Sequence, residues 1–154
     1  AAPTAWTTRL GETALLPHEA RRLATLRSPA ARHAFLLGRA LTRVALSHYT
    51  TVRPESWRFA LETAGRPVAT APDAHGLHFN RARTEGLVVC AVARHAEVGV
   101  DVERLDDGLP LDELTRHALG ADERAYVAAQ PPALRQRAFL RQWTLKEAYV
   151  KALG

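Results

Sequence analysis

Residues 87–102 read LVVCAVARHAEVGVDV, two apolar and β-branched runs, Leu87–Ala93 and Val98–Val102, separated by Arg94-His95-Ala96-Glu97. Two such runs around a short polar break predict an antiparallel hairpin. Working upstream, Trp57–Leu61 alternates like a short strand, and Gly65-Arg66-Pro67 and Pro72–Gly76 read as turns. Ser28-Pro29 supplies an N-cap followed by a first-turn proline for a helix over 29–48, whose apolar stripe is Phe35, Leu36, Leu41, Val44 and Ala45. A shorter helix is predicted over 17–27, with Pro17 near its start. Downstream, Asp106-Asp107-Gly108 ends the second strand of the hairpin. Helices follow at 111–119 and 122–129, and Pro131-Pro132 opens a last helix that runs to Gly154. Helices, then strands, then helices make the class α+β.

The 154 residues match about one domain, and a chain of this size buries enough surface to form a core without staples. The composition is ordinary globular material, and no apolar run is long enough to span a bilayer. No secretion leader is visible, and Met is absent even at position 1, as expected of a processed or trimmed chain. Cys90 is the single cysteine, so no internal disulfide or thiolate metal cage forms, which favours a reducing cytoplasm. Trp6, Trp57 and Cys90 read as packing residues, and the seven histidines show no metal-ligand spacing. Charge is uneven. Residues 1–100 hold thirteen arginines against seven acids, whereas residues 101–154 hold eight basic residues against nine acids. The basic part suits phosphorylated ligands, nucleic acid or an acidic protein, or is simply a solvated arginine-rich face. Of the 21 basic residues only two are lysines, Lys146 and Lys151, and both fall in one hexapeptide.

On a strand, Asp101 and Glu103 share a face while Val100 and Val102 turn to the core. Paired carboxylates repel unless a cation lies between them, and oxygen-only ligands suit Mg²⁺ shared with a phosphorylated substrate. Taken alone, Asp-x-Glu is a weak signal, and two solvated acids at a strand end are the plainer reading. In the last helix, Trp143, Glu147, Lys151 and Gly154 stack on one face by their 4, 4 and 3 spacing. Glu147 is either a third metal carboxylate flanked by two phosphate-seeking ammonium groups, or half of a surface ion pair with Lys151.

Taken together, the two elements are far more specific, and the sequence resembles the 4′-phosphopantetheinyl transferases of the surfactin-synthetase-activating type. Gly99-Val100-Asp101-Val102-Glu103 matches the family signature G-I/V-D-I/V-E. Trp143–Gly154 matches W-S/T-x-K-E-A/S-x-x-K-x-x-G at every fixed position. Gly65-Arg66-Pro67 resembles the family's G-K-P with Arg for Lys, and Phe35–Arg39 resembles its helical F-x-x-G-R. The resemblance runs over roughly residues 10–154. It departs where the family has F-N-x-S-H: here the segment is Phe79-Asn80-Arg81-Ala82-Arg83. Arg83 is still a bidentate phosphate binder in kind, but Ala82 has no hydroxyl. The family's further strands after K-x-x-G are also absent from this sequence.

The resemblance implies an α+β fold of two pseudo-symmetric halves, residues 1–90 and 91–154, the second shortened. It implies transfer of the phosphopantetheine arm from coenzyme A to a serine of an apo acyl or peptidyl carrier protein, with Mg²⁺ present and 3′,5′-ADP released. Asp101, Glu103 and Glu147 are then the expected Mg²⁺ ligands. Glu147 and Lys151 are expected to be catalytic, and Arg39, Arg66, Arg83, Lys146 and Lys151 to contact the phosphates of coenzyme A. The expected partner is an acidic carrier protein, with neither nucleic acid nor membrane. The chain is expected as a pseudo-dimeric monomer or as a domain of a larger synthase. A non-catalytic relative that binds coenzyme A or the carrier is an alternative. A Mg²⁺-dependent nuclease is another, disfavoured because Lys146 directly precedes Glu147 on a helix.

Overall fold

The computed structural model describes residues 5–62, 65–70, 72–106 and 108–154. Three helices, α1 (Ala5–Thr13), α2 (Pro17–Thr25) and α3 (Pro29–Ser47), precede four strands, β1 (Phe59–Leu61), β2 (Pro67–Ala69), β3 (Leu77–Thr84) and β4 (Leu87–Arg94). Helices α4 (Leu111–Ala118), α5 (Ala121–Ala128) and α6 (Pro132–Leu153) follow, and the class is α+β. The α3 start is as read: the Ser28 hydroxyl accepts a hydrogen bond from the Ala31 amide at 3.4 Å, and Pro29 needs no partner in the first turn.

The hairpin differs from the expected one. Leu87–Arg94 is a strand, but it pairs antiparallel with β3, from Leu77↔Arg94 to Thr84↔Leu87, across a two-residue turn. Gly86 in that turn has φ +77°, a conformation that a Cβ disfavours. Val98–Val102 forms no strand. Its Val100 amide donates to the Asn80 side-chain oxygen at 3.3 Å instead of to a strand carbonyl. The β3 strand escaped the sequence reading because its alternation breaks: Leu77 and Phe79 are buried apolar residues, whereas Arg81 and Arg83 continue the same face. Strand β2 and helix α1 were also unread. The side chain of Trp6 and the residue Asp107 fall outside what the structure describes.

The β3–β4 hairpin has a different neighbour on each face. One face meets α3, where the Cys90 sulfur lies 3.9 Å from the Thr42 hydroxyl and Val88 packs over Gly38. From the other face Asn80 reaches α6, its amide donating to the Lys151 carbonyl at 3.4 Å. The main core gathers Leu46, Trp57, Phe59, Ala74, Leu77 and Phe79, with Trp57 fully buried and its indole N–H donating to Ser47 at 2.9 Å. A second core, Leu119, Val127, Ala138 and Phe139, joins α4, α5 and α6, and Trp143 stacks on Phe139. No described helix is long and apolar enough to cross a membrane.

Candidate active site

The site is assembled where segment 98–103 crosses α6. Gly99 lies against the helix backbone: a Cβ there would fall inside the envelope of the Ala148 carbonyl oxygen and 2.7 Å from the Ala152 amide nitrogen. Only glycine allows this approach, and it delivers Asp101 to α6, where the Lys151 ammonium donates to its Oδ1 at 2.5 Å. The second oxygen, Oδ2, is buried with no hydrogen-bond partner among the described residues. Glu103, farther along the segment, is exposed and borders cavities lined by Leu140, Arg141 and Thr144 of α6. Half-buried Glu147 lies between Thr144 and Lys151 along that helix, on the same face by its spacing. The strand expected to hold Asp101 and Glu103 alike is therefore replaced by an irregular segment with one carboxylate buried and the other in water.

Around Asp101 and Lys151 opens a cavity of about 430 Å³, whose walls also carry Arg22, Arg39, Arg81 and Arg83. Five cationic side chains thus face one carboxylate that is itself paired. Behind the wall, buried Glu19 holds the cluster together. Its Oε1 lies 2.7 Å from Arg39 Nε, and its Oε2 accepts from the fully buried Arg43 at 2.8 Å and from the Leu16 amide at 3.0 Å. Burial alone would raise the Glu19 pKa, but the Leu16 amide and the Arg43 and Arg39 guanidiniums together hold it below the ordinary carboxylate range. The Arg39 pKa is lowered, by burial first and despite Glu19. Arg81 is pushed down to about 9, by burial first and then by Arg39.

Arg39, Arg83, Lys151 and Asp101 are therefore brought together, and Arg66 and Lys146 are not part of the same cavity. Arg66 pairs with Glu97, donates to the Ala152 carbonyl at 3.4 Å and lines a separate cavity of about 640 Å³ with His75 and His78. Lys146 is exposed and pairs with Glu123 of α5 at 2.7 Å. Ala82 is buried and Arg83 exposed. Among the described residues no three His, Cys, Asp or Glu side chains are close enough to form a metal centre. The donor set nevertheless suits Mg²⁺ in kind: all oxygen, with a buried and unpartnered Asp101 Oδ2. Sequence reasoning missed Glu19, Arg43, Arg81 and Asn80. The period-2 repeat of Arg81 and Arg83 was the available signal for one of them.

Residues 97–154 match the family model of the 4′-phosphopantetheinyl transferase superfamily. Over 127 residues the chain is 34% identical to the 4′-phosphopantetheinyl transferase HetI of Nostoc, covering 82% of this chain and 54% of that protein. It is 31% identical over 122 residues to the 4′-phosphopantetheinyl transferase gsp of Aneurinibacillus migulanus, covering 77% and 47%. It is 30% identical over 159 residues to a phosphopantetheinyl transferase of Thraustochytrium, covering 93% and 54%. The chain spans about half the length of these curated relatives. The matched region begins at Glu97 and takes in both Gly99–Glu103 and Trp143–Gly154, the two segments that meet at the site; the chain belongs to the 4′-phosphopantetheinyl transferase superfamily, of the surfactin-synthetase-activating type.

Proposed function

We propose that this chain transfers the 4′-phosphopantetheine arm of coenzyme A to a serine hydroxyl of an apo carrier protein. The observation that carries the reading is the basic cavity at the Asp101–Lys151 pair, built from the two segments that the family model matches. In the reaction the serine oxygen attacks the phosphorus that bears the arm. A P–O bond to serine forms, the anhydride P–O bond breaks, and 3′,5′-ADP leaves with the electron pair. The serine proton goes to Glu147, directly or through one water, since a half-buried carboxylate one helical turn from Lys151 is a suitable base. Lys151, released from Asp101 when a phosphate enters, meets the negative charge that builds on the leaving anhydride oxygen. Arg39 and Arg83 bind phosphate oxygens in the cavity. Arg66 and Lys146, each already paired with a carboxylate, are assigned outer phosphate contacts. Asp101, Glu103 and Glu147 are the residues that would hold Mg²⁺, which supplies charge neutralisation at the anhydride when bound.

The reading extends to two halves, 1–90 and 91–154, the first supplying the arginines and the second the carboxylates and lysines. It also takes the arginine-rich exterior as a steering surface for an acidic carrier protein. The test is direct. Incubation with coenzyme A, Mg²⁺ and a set of apo carriers is expected to add about 340 Da, the mass of the transferred arm, to at least one carrier. No mass shift on any of them overturns the proposal. Glu147→Gln is expected to abolish transfer with an unchanged circular dichroism spectrum, and an active variant would remove Glu147 from its role.

A further inference from the structure

Arg81 is an arginine without a counter-ion in a place where one is needed. It occupies the α3-facing side of β3, between Phe79, whose ring centroid is 5.8 Å from its guanidinium carbon, and the cross-strand partner Cys90. Neither neighbour is a carboxylate. The nearest acid, Glu19, is already saturated by Arg39, Arg43 and the Leu16 amide. The only carboxylate on the cavity wall, Asp101, is engaged by Lys151. Among the described residues Arg81 makes no ion pair; of the charged groups around it Arg39, of like sign, acts most strongly, and the opposing pull of Glu19 is weaker and shared with Arg39 and Arg43. Arg81 is half-buried, and withdrawing a cation part-way from water beside another cation costs stability. Arg81 lines the 430 Å³ cavity, where a bound anion would offset that cost.

We propose that Arg81 is a phosphate-binding residue of this site. It acts from the floor of the cavity, one residue before buried Ala82, which has no hydrogen-bond donor on its side chain. The ligand class is a polyphosphate ester: with Lys151 held by Asp101 and Arg39 by Glu19, the guanidiniums of Arg22, Arg81 and Arg83 are left on the wall, and one phosphate group carries at most about two negative charges. The identification of that ester as coenzyme A rests on the reading in the preceding subsection. Arg81 and Arg83, two apart on one strand, present their guanidinium groups on the same side, so one ligand is gripped at two levels of the cavity.

The experiment is isothermal titration of the wild-type chain, Arg81→Met and Arg81→Lys with coenzyme A, with its 3′-dephospho form and with inorganic pyrophosphate, each protein also being melted. Arg81→Met keeps the volume of the side-chain stem and removes the charge. It is expected to lose about tenfold or more in affinity for coenzyme A while its Tm holds or rises. Arg81→Lys is expected to retain part of the affinity. A loss confined to coenzyme A identifies the 3′-phosphate as the group bound, and an equal loss with the dephospho form identifies the pyrophosphate. Wild-type affinity in Arg81→Met overturns the assignment. So does a fall in Tm that accompanies weakened binding in both variants, since that marks Arg81 as a packing residue. A wild-type chain that binds pyrophosphate but not coenzyme A refutes the transferase reading and leaves Arg81 to be judged by the pyrophosphate arm. If it binds neither, both proposals fail.

Discussion

Glu19 shows how one side chain sets the electrostatics of the whole cavity. It is the only acid of α2 and is 3% exposed, with Arg39 and Arg43 on its two oxygens. Glu19→Gln leaves Arg43, itself fully buried, without a balancing charge, and is expected to destabilise the fold by about 3 kcal/mol near neutral pH. The folded-state pKa of Glu19 lies below its unfolded value, so the ionised carboxylate stabilises the fold above the ordinary carboxylate range. That stabilisation disappears as pH falls through the folded value. Denaturant melts of both proteins across the acid range should therefore converge at low pH, and a difference independent of pH would refute the charge argument. Gly99 acts through space rather than charge. Gly99→Ala drives a methyl group into the α6 backbone, and overpacking of this kind costs about 1–3 kcal/mol, so Tm and transfer should fall together. The presence of Gly99 was legible in the sequence as part of a motif. Its reason, direct contact with a helix fifty residues away, was not.

Among the elements, the span of α3 was legible because its signals are local, a serine cap and a first-turn proline. Its buried side was read only in part: Phe35 and Leu36 are buried as expected, whereas Leu41, Val44 and Ala45 are half-buried and Ala40, Thr42, Arg43 and Leu46 are buried instead. The β3–β4 hairpin was not legible, since the strand that pairs with Leu87–Arg94 follows core residues Leu77 and Phe79 with Arg81 and Arg83 on the same face. A strand that builds a ligand cavity gives up the alternation by which strands are recognised. The turn between them offers a check. Gly86→Ala places a Cβ at φ +77° and should cost about 1 kcal/mol in chemical denaturation, with no effect on ligand affinity. Lys146 links α6 to α5 through Glu123, whose pKa is lowered by the Lys146 hydrogen bond first and the Gly120 amide next. Lys146→Ala should let that pKa rise toward the usual carboxylate value, as a carboxyl NMR titration would record. An unmoved titration would mean that the pair does not persist in solution.

At the scale of the molecule, the main core and the α4–α6 core are separate clusters, and a third, smaller one (Leu10, Ala14, Ala40) lies between α1 and α3. The site lies on the seam between the first two. Asn80 bridges it, accepting from the Val100 amide and donating to the Lys151 carbonyl, while Gly99 and Arg66 touch the same last turns of α6. Asn80→Ala should accelerate hydrogen exchange at the Val100 amide and leave the β4 amides protected. Uniform acceleration would show that Asn80 supports the hairpin itself rather than the seam. By itself the sequence determined the α+β class, the helices with local caps and the family, because periodicity and motif spacing are properties of neighbouring residues. Only the tertiary structure decided that segment 98–102 forgoes a strand to lie on α6. Only it, too, separated buried Asp101 from exposed Glu103 and gathered arginines from α2, α3 and β3 into one cavity. Those outcomes depend on which surfaces meet across fifty or more residues, and no local pattern encodes a contact of that range.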